Sequence, residues 1–114
     1  MSVCQRALER LDAELSGTDD EGRLLAYNEL TAFAVVGNED GTHEVSAGVF
    51  QGLNDIGFSL SRRGGHPWVR EAQRGTDFQD LKETPDAVKT TTHTLAANAV
   101  HLAHQLTGHP CPPR

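Results

Sequence analysis

Residues 37–43 read Gly-Asn-Glu-Asp-Gly-Thr-His. They lie between an apolar run, "LTAFAVV" (30–36), and a segment with helical spacing. Strand, glycine-bearing loop and helix is the arrangement that turns backbone N–H groups toward a nucleotide. Gly37 and Gly41 permit close approach and positive φ. The loop nevertheless carries Glu39 and Asp40, with Glu44 just beyond, and no lysine. Those acids exclude the phosphate end of a nucleotide and leave the question of what else the loop could hold.

Six histidines raise metal chemistry as a second possibility. His93, His101 and His104 fall opposite a leucine stripe at 100° per residue, on a solvated helix face. His101 and His104 have the i, i+3 spacing of a shared surface metal. No carboxylate or cysteine nearby completes a site of plausible geometry. His109 and Cys111 lie in a tail without fixed geometry. The expectation is no metal site. His43 and His66 each sit in a glycine-bearing loop. No nucleophile–base pair is evident.

The elements that would position these groups follow from periodicity. Cys4, Leu8, Leu11 and Leu15 mark one face of a first helix, stopped by Gly17. "GTDDEGR" (17–23) reads as a turn-rich loop with a solvated acidic cluster. The 30–36 run, apolar at nearly every position, predicts a strand covered on both faces. Val45, Val49, Leu53 and Ile56 predict a helix capped by Thr42 and ended by Gly57. Gly48 and Gly52 would let that helix approach the sheet. "FSL" (58–60) is a short strand candidate. Residues 62–83, with Gly64, Gly65, Pro67 and the only tryptophan, Trp68, predict a long loop. Thr84 and Pro85 open a last helix, with Val88, Thr92, Leu95, Ala99, Leu102 and Leu106 on its apolar face. Gly108 and Pro110 end it, and 109–114 is expected to be a disordered tail.

The bulk properties bound the class. The chain has 114 residues, enough for one small domain. A net charge of −6 argues against a nucleic-acid partner. No run approaches the roughly eighteen apolar residues of a membrane span, and the N-terminus lacks a signal-peptide core. A cytoplasmic location with Cys4 and Cys111 as free thiols is expected.

"VVGNEDGTHEVSAGVFQGLNDIGF" resembles the second half of flavodoxin-like NAD(P)H-dependent FMN reductases, of the actinobacterial flavodoxin type. The resemblance continues through "GGHPWVREAQRGTDFQDLKETP" and "TLAANAVHLAHQL", and covers "CQRALERLDAELSGTDDEGR" before it. It implies an α/β fold, the C-terminal portion of a flavodoxin-like three-layer sheet: strands 4 and 5 with helices 3, 4 and 5, spanning 1–108. The N-terminal half with its phosphate loop would be absent. FMN is the implied cofactor, NAD(P)H a substrate, and a quinone or other acceptor the electron sink. Gly37, Asn38, Glu39, Asp40, Gly41, Thr42 and His43 would lie against the flavin ring, where acidic groups are tolerable because the oxidised ring is neutral. Glu39 and Asp40 would lower the flavin potential, or Asp40 would simply close an Asx turn. Trp68 would fold over the ring or meet a subunit interface, unless it only anchors its loop. The chain departs from the family pattern at His66-Pro67, Arg70 and Gln73. Without the phosphate loop, FMN binding would be weak or absent. A homodimer or a complementary N-terminal half would be the partner. The alternative is a non-enzymatic remnant or interaction module that binds no flavin.

Overall fold

The computed structural model describes residues 3–37, 41–69 and 76–113. Helix α1, Val3–Asp12, runs into a 3-10 turn at Ala13–Ser16. Strand β1 is Leu30–Gly37, helix α2 is Gly41–Ile56, strand β2 is Ser59–Val69 and helix α3 is Asp86–Gly108, with a second 3-10 turn at Phe78–Asp80. β1 and β2 are parallel neighbours joined by α2, and form a two-stranded sheet among the described residues. The α/β class with parallel strands and three helices is therefore as the sequence implies. No helix of the described residues is long and apolar enough to cross a membrane.

Packing is one-sided where the sequence predicts two. In β1, Thr31, Phe33, Val35 and Gly37 are half-buried, while Ala32, Ala34 and Val36 are exposed. The expectation of a doubly covered strand is corrected: an apolar run records what a strand can bury, not what is present to bury it. The apolar core is Leu24, Ala26, Val49, Leu53 and Ile56. Val45, placed on the same helical face by spacing, is exposed at the first turn of α2. Gly52 does not serve approach to the sheet: a Cβ there would meet Leu8 of α1 at 3.3 Å. Gly48 faces open space. α1 thus packs on α2, not on the strands.

β2 is the largest departure. It runs eleven residues where three were expected, and it takes in Gly64, Gly65, His66, Pro67 and Trp68 from the predicted loop. Pairing begins with Leu30↔Ser59 and Thr31↔Leu60, then jumps to Phe33↔Gly65. Residues 61–64 bulge opposite Ala32, with Arg63 at φ +57°. Gly65 has a local reason. A Cβ there would sit inside the Phe33 ring. Pro67, which has no N–H to give, lies in a strand that has no second partner strand among the described residues.

α3 starts one residue later than predicted. Pro85 is its N-cap, and its carbonyl accepts Val88 N and Lys89 N at 3.0 and 3.1 Å. The inward stripe is Val88, Thr91, Leu95, Ala99, Leu102 and Leu106; Thr92 is exposed. Every one of these is only half-buried, and α3 has no buried residue. His93, His101 and His104 are exposed, as the wheel places them.

The C-terminal segment is not a fraying tail at Cys111. Asn28 Oδ1 accepts Cys111 N at 2.6 Å, and Arg23 Nη1 donates to Cys111 O at 3.4 Å. Asn28 holds φ +67°, a left-handed value that asparagine tolerates better than most residues. Cys4 and Cys111 are both free thiols. In the 17–23 loop Asp19 is structural. Its Oδ1 accepts Glu21 N and Arg23 N, both at 2.9 Å, and its Oδ2 accepts Arg23 Nε at 2.7 Å. The Arg23 side chain, then its backbone N–H, hold the Asp19 carboxyl below the usual carboxylate range, against a smaller opposing effect of burial.

Candidate functional site

One glycine-dependent contact shapes the carboxyl end of β1. β1 stops at Gly37 and α2 starts at Gly41, so Thr42 lies inside the first turn of the helix rather than capping it. Thr42 is 4% exposed, beneath the strand end. A Cβ on residue 37 would come within 2.5 Å of Thr42 Oγ1. Gly37 is thus required by a close approach of strand to helix. Thr42 O in turn accepts Ser46 Oγ at 2.7 Å. His43 and Gly41 are exposed beside it, and Glu44 occupies the same turn.

The opposite wall comes from a segment far along the chain. Asp77, Phe78 and Gln79 meet Val36 and Gly37 around a cleft of about 330 Å³. The Phe78–Asp80 turn is closed by Asp80 N to Asp77 O at 2.9 Å and Leu81 N to Phe78 O at 3.3 Å. An aromatic side chain and a valine on the walls suit an apolar, planar group. Among the described residues around the cleft the charged ones are acidic, Asp77 lining it and Glu44 on the adjoining turn, and no described lysine or arginine lines it. An anion would find no charged partner among these residues.

A larger cleft, about 550 Å³, lies at the other end of the molecule, with Leu24, Tyr27, Phe58, Ser59, Leu102 and Cys111 among its lining. Parallel α/β sheets take ligands outside the carboxyl ends of their strands, where connections leave a crevice. The smaller cleft has that position and the larger one does not.

Of the predicted site residues, the structure brings together Gly37, Gly41, Thr42 and His43. Asn38, Glu39 and Asp40 lie outside the described residues. Trp68 is corrected from a loop to β2, where its backbone is registered with Val36, one strand away from the cleft. Arg70 and Gln73 also lie outside the described residues. Asp77, Phe78 and Gln79 were missed by sequence reasoning. The available signal was Phe78, a second aromatic in a segment where only the tryptophan stood out. Among the described residues no three His, Cys, Asp or Glu side chains group as a metal site.

No protein-family profile matches the chain. The chain is 29% identical over 113 residues to 8-demethyl-8-aminoriboflavin-5'-phosphate synthase of Streptomyces davaonensis, covering 93% of this chain and 43% of that protein. It superimposes on the crystal structure of RosB, determined with its intermediate 8-demethyl-8-formylriboflavin-5'-phosphate, at a TM-score of 0.82 and 25% identity. That match covers 97% of this chain and 44% of RosB. A further similarity, 27% identity over 108 residues, is to the divalent metal cation transporter MntH of Mycobacterium bovis, of which it spans 16%. The chain is similar to part of a flavin-related enzyme. It spans less than half the length of that enzyme. The comparisons thus support the flavin-associated side of the expected resemblance.

Proposed function

We propose that the chain supplies the ring-binding part of a flavin site at the carboxyl end of β1. The observation that carries this reading is the match of nearly the whole chain to RosB, a structure holding a flavin phosphate. The cleft fits the ring but not the phosphate. Val36 and Phe78 offer apolar walls, Gly37 leaves the strand end uncovered by side chain, and no basic residue lines the cavity among the described residues. Asn38, Glu39 and Asp40, which follow Gly37 in sequence, are assigned to the same site in our reading.

A flavin held there supplies two-electron chemistry, with NAD(P)H as donor in the reductase that the sequence resembles. A second reading treats the flavin phosphate as substrate. It is favoured by the bound intermediate in RosB and by the name of the Streptomyces davaonensis relative. A module that binds no flavin is the reading left if the cleft fails the following test.

Charge-assisted hydrogen bonds to a phosphate contribute about 1.5–3 kcal/mol each. Losing three of them costs on the order of 5 kcal/mol, several thousand-fold in affinity. A site that holds only the ring therefore binds weakly, and binds FMN and riboflavin alike. Titration of flavin fluorescence should give dissociation constants for the two that agree within about threefold. Phe78→Ala should weaken both by about tenfold or more, the loss of one aromatic stacking wall. No quenching of either flavin by the wild-type chain would defeat the proposal. Mass analysis of the flavin phosphate after incubation with dioxygen as oxidant and an amino acid as amino donor then separates the two readings: an unaltered flavin fits a cofactor, a change at position 8 fits a substrate.

A further inference from the structure

The lining of the cleft at the carboxyl end of β1 is of two kinds. Val36 and Phe78 are apolar, and Gly37 adds no side chain. Asp77 and Gln79, on either side of Phe78 in sequence, are the polar residues that line it among the described ones. The carboxylate of Asp77 only accepts hydrogen bonds. The amide of Gln79 both donates and accepts.

Neither side chain is used to hold its own turn. Phe78–Asp80 is closed by backbone, Asp80 N donating to Asp77 O and Leu81 N to Phe78 O. Asp77 stands at the N-cap of that turn, yet its carboxylate makes no capping bond. Gln79 is exposed, and its amide makes no hydrogen bond among the described residues. Asp77 and Phe78 are half-buried.

A flavin ring is polar along one edge and apolar along the other. Its pyrimidine edge presents a carbonyl, the N3–H and a second carbonyl. Its benzenoid edge, which carries position 8, presents carbon and methyl groups. N3–H is the N–H donor of the oxidised ring. Set against the benzenoid edge, the Asp77 carboxylate would lose water and gain no donor, which is unfavourable. Set against the pyrimidine edge, it accepts N3–H in a charge-assisted bond, and the Gln79 amide donates to a neighbouring carbonyl.

We infer that Asp77 and Gln79 fix the orientation of the ring in this cleft. The two side chains read the pyrimidine edge, and the edge bearing position 8 points away from them. The inference rests on the ring-site reading above and adds to it the residues that set ligand specificity. It also has a consequence for the reading of the flavin as substrate: position 8 is left open to a co-substrate instead of being buried against Val36 and Phe78.

Equilibrium dialysis of the whole chain with three flavins tests the orientation. Riboflavin is the reference, 3-methylriboflavin lacks the N3–H, and 8-demethyl-8-aminoriboflavin is altered at the other edge. The wild-type chain should bind 3-methylriboflavin about tenfold or more weakly than riboflavin, the loss of one hydrogen bond to a charged acceptor. It should bind the 8-amino compound within about threefold of riboflavin. Asp77→Leu and Gln79→Leu should weaken riboflavin. Asp77→Leu should also bring the riboflavin to 3-methylriboflavin ratio close to one, whereas Asp77→Asn, which keeps an acceptor, should preserve most of that ratio. Phe78→Ala should weaken both flavins and leave the ratio unchanged, so a merely structural effect is told apart from recognition. Equal binding of riboflavin and 3-methylriboflavin by the wild-type chain overturns the inference and leaves the ring site standing. Rejection of the 8-amino compound with acceptance of 3-methylriboflavin overturns it by showing the opposite orientation. No binding of any of the three defeats the ring site itself, and the inference with it.

Discussion

Gly37 and Thr42 are the residue pair on which the candidate site rests. Adding one methyl group at 37 places it 2.5 Å from the Thr42 hydroxyl, below any real contact distance, so strand end and helix turn must separate. Gly37→Ala is expected to cost about 1–3 kcal/mol, read from urea denaturation, and to lower ring binding with it. Asp19 is a residue whose role is structural and sensitive to pH. Its carboxyl is held below its ordinary value in the folded chain. A depressed carboxylate contributes stability that is present above its unfolded pKa, about 3.9, and is lost as pH falls through the lower folded value. Asp19→Asn should abolish this dependence. Thermal midpoints between about pH 2 and pH 6 check the sign: the drop at the acid end should be shallower in the variant.

At the scale of elements, α1, β1, α2 and α3 were legible because each has its own period or cap. Leu8 with Leu11, Val49 with Leu53, and the half-buried stripe of α3 state their helical faces without help. β2 was not legible. "SRRGGHPWV" lacks alternation and contains glycines and a proline, so local propensity opposes a strand. It is a strand because β1 lies beside it and the Phe33 ring needs the space that Gly65 leaves. The same kind of long-range contact holds the C-terminal segment. Asn28→Ala removes the acceptor of Cys111 N and places alanine at φ +67°. About 1–2 kcal/mol should be lost. The segment after α3 should become a substrate for carboxypeptidase well before the body of the chain unfolds.

At the scale of the whole molecule, the core of the described residues is small, and α3 has a stripe but no buried residue. A ligand that binds only the folded chain stabilises it by mass action. Saturating riboflavin should therefore raise the thermal midpoint, and an unchanged midpoint would contradict a ring site at the carboxyl end of β1.

The amino-acid sequence by itself determined the helical faces, the apolar first strand and the acidic, glycine-bearing connection that follows it. Each is a local pattern, written within a few turns or a few residues. Tertiary structure alone decided that Phe78 stands opposite Gly37, that β2 runs through a proline and two glycines, and that Ala32, Ala34 and Val36 alternate as the exposed residues of β1. These depend on which surfaces meet across tens of residues, and periodicity carries no record of the partner that a surface finds.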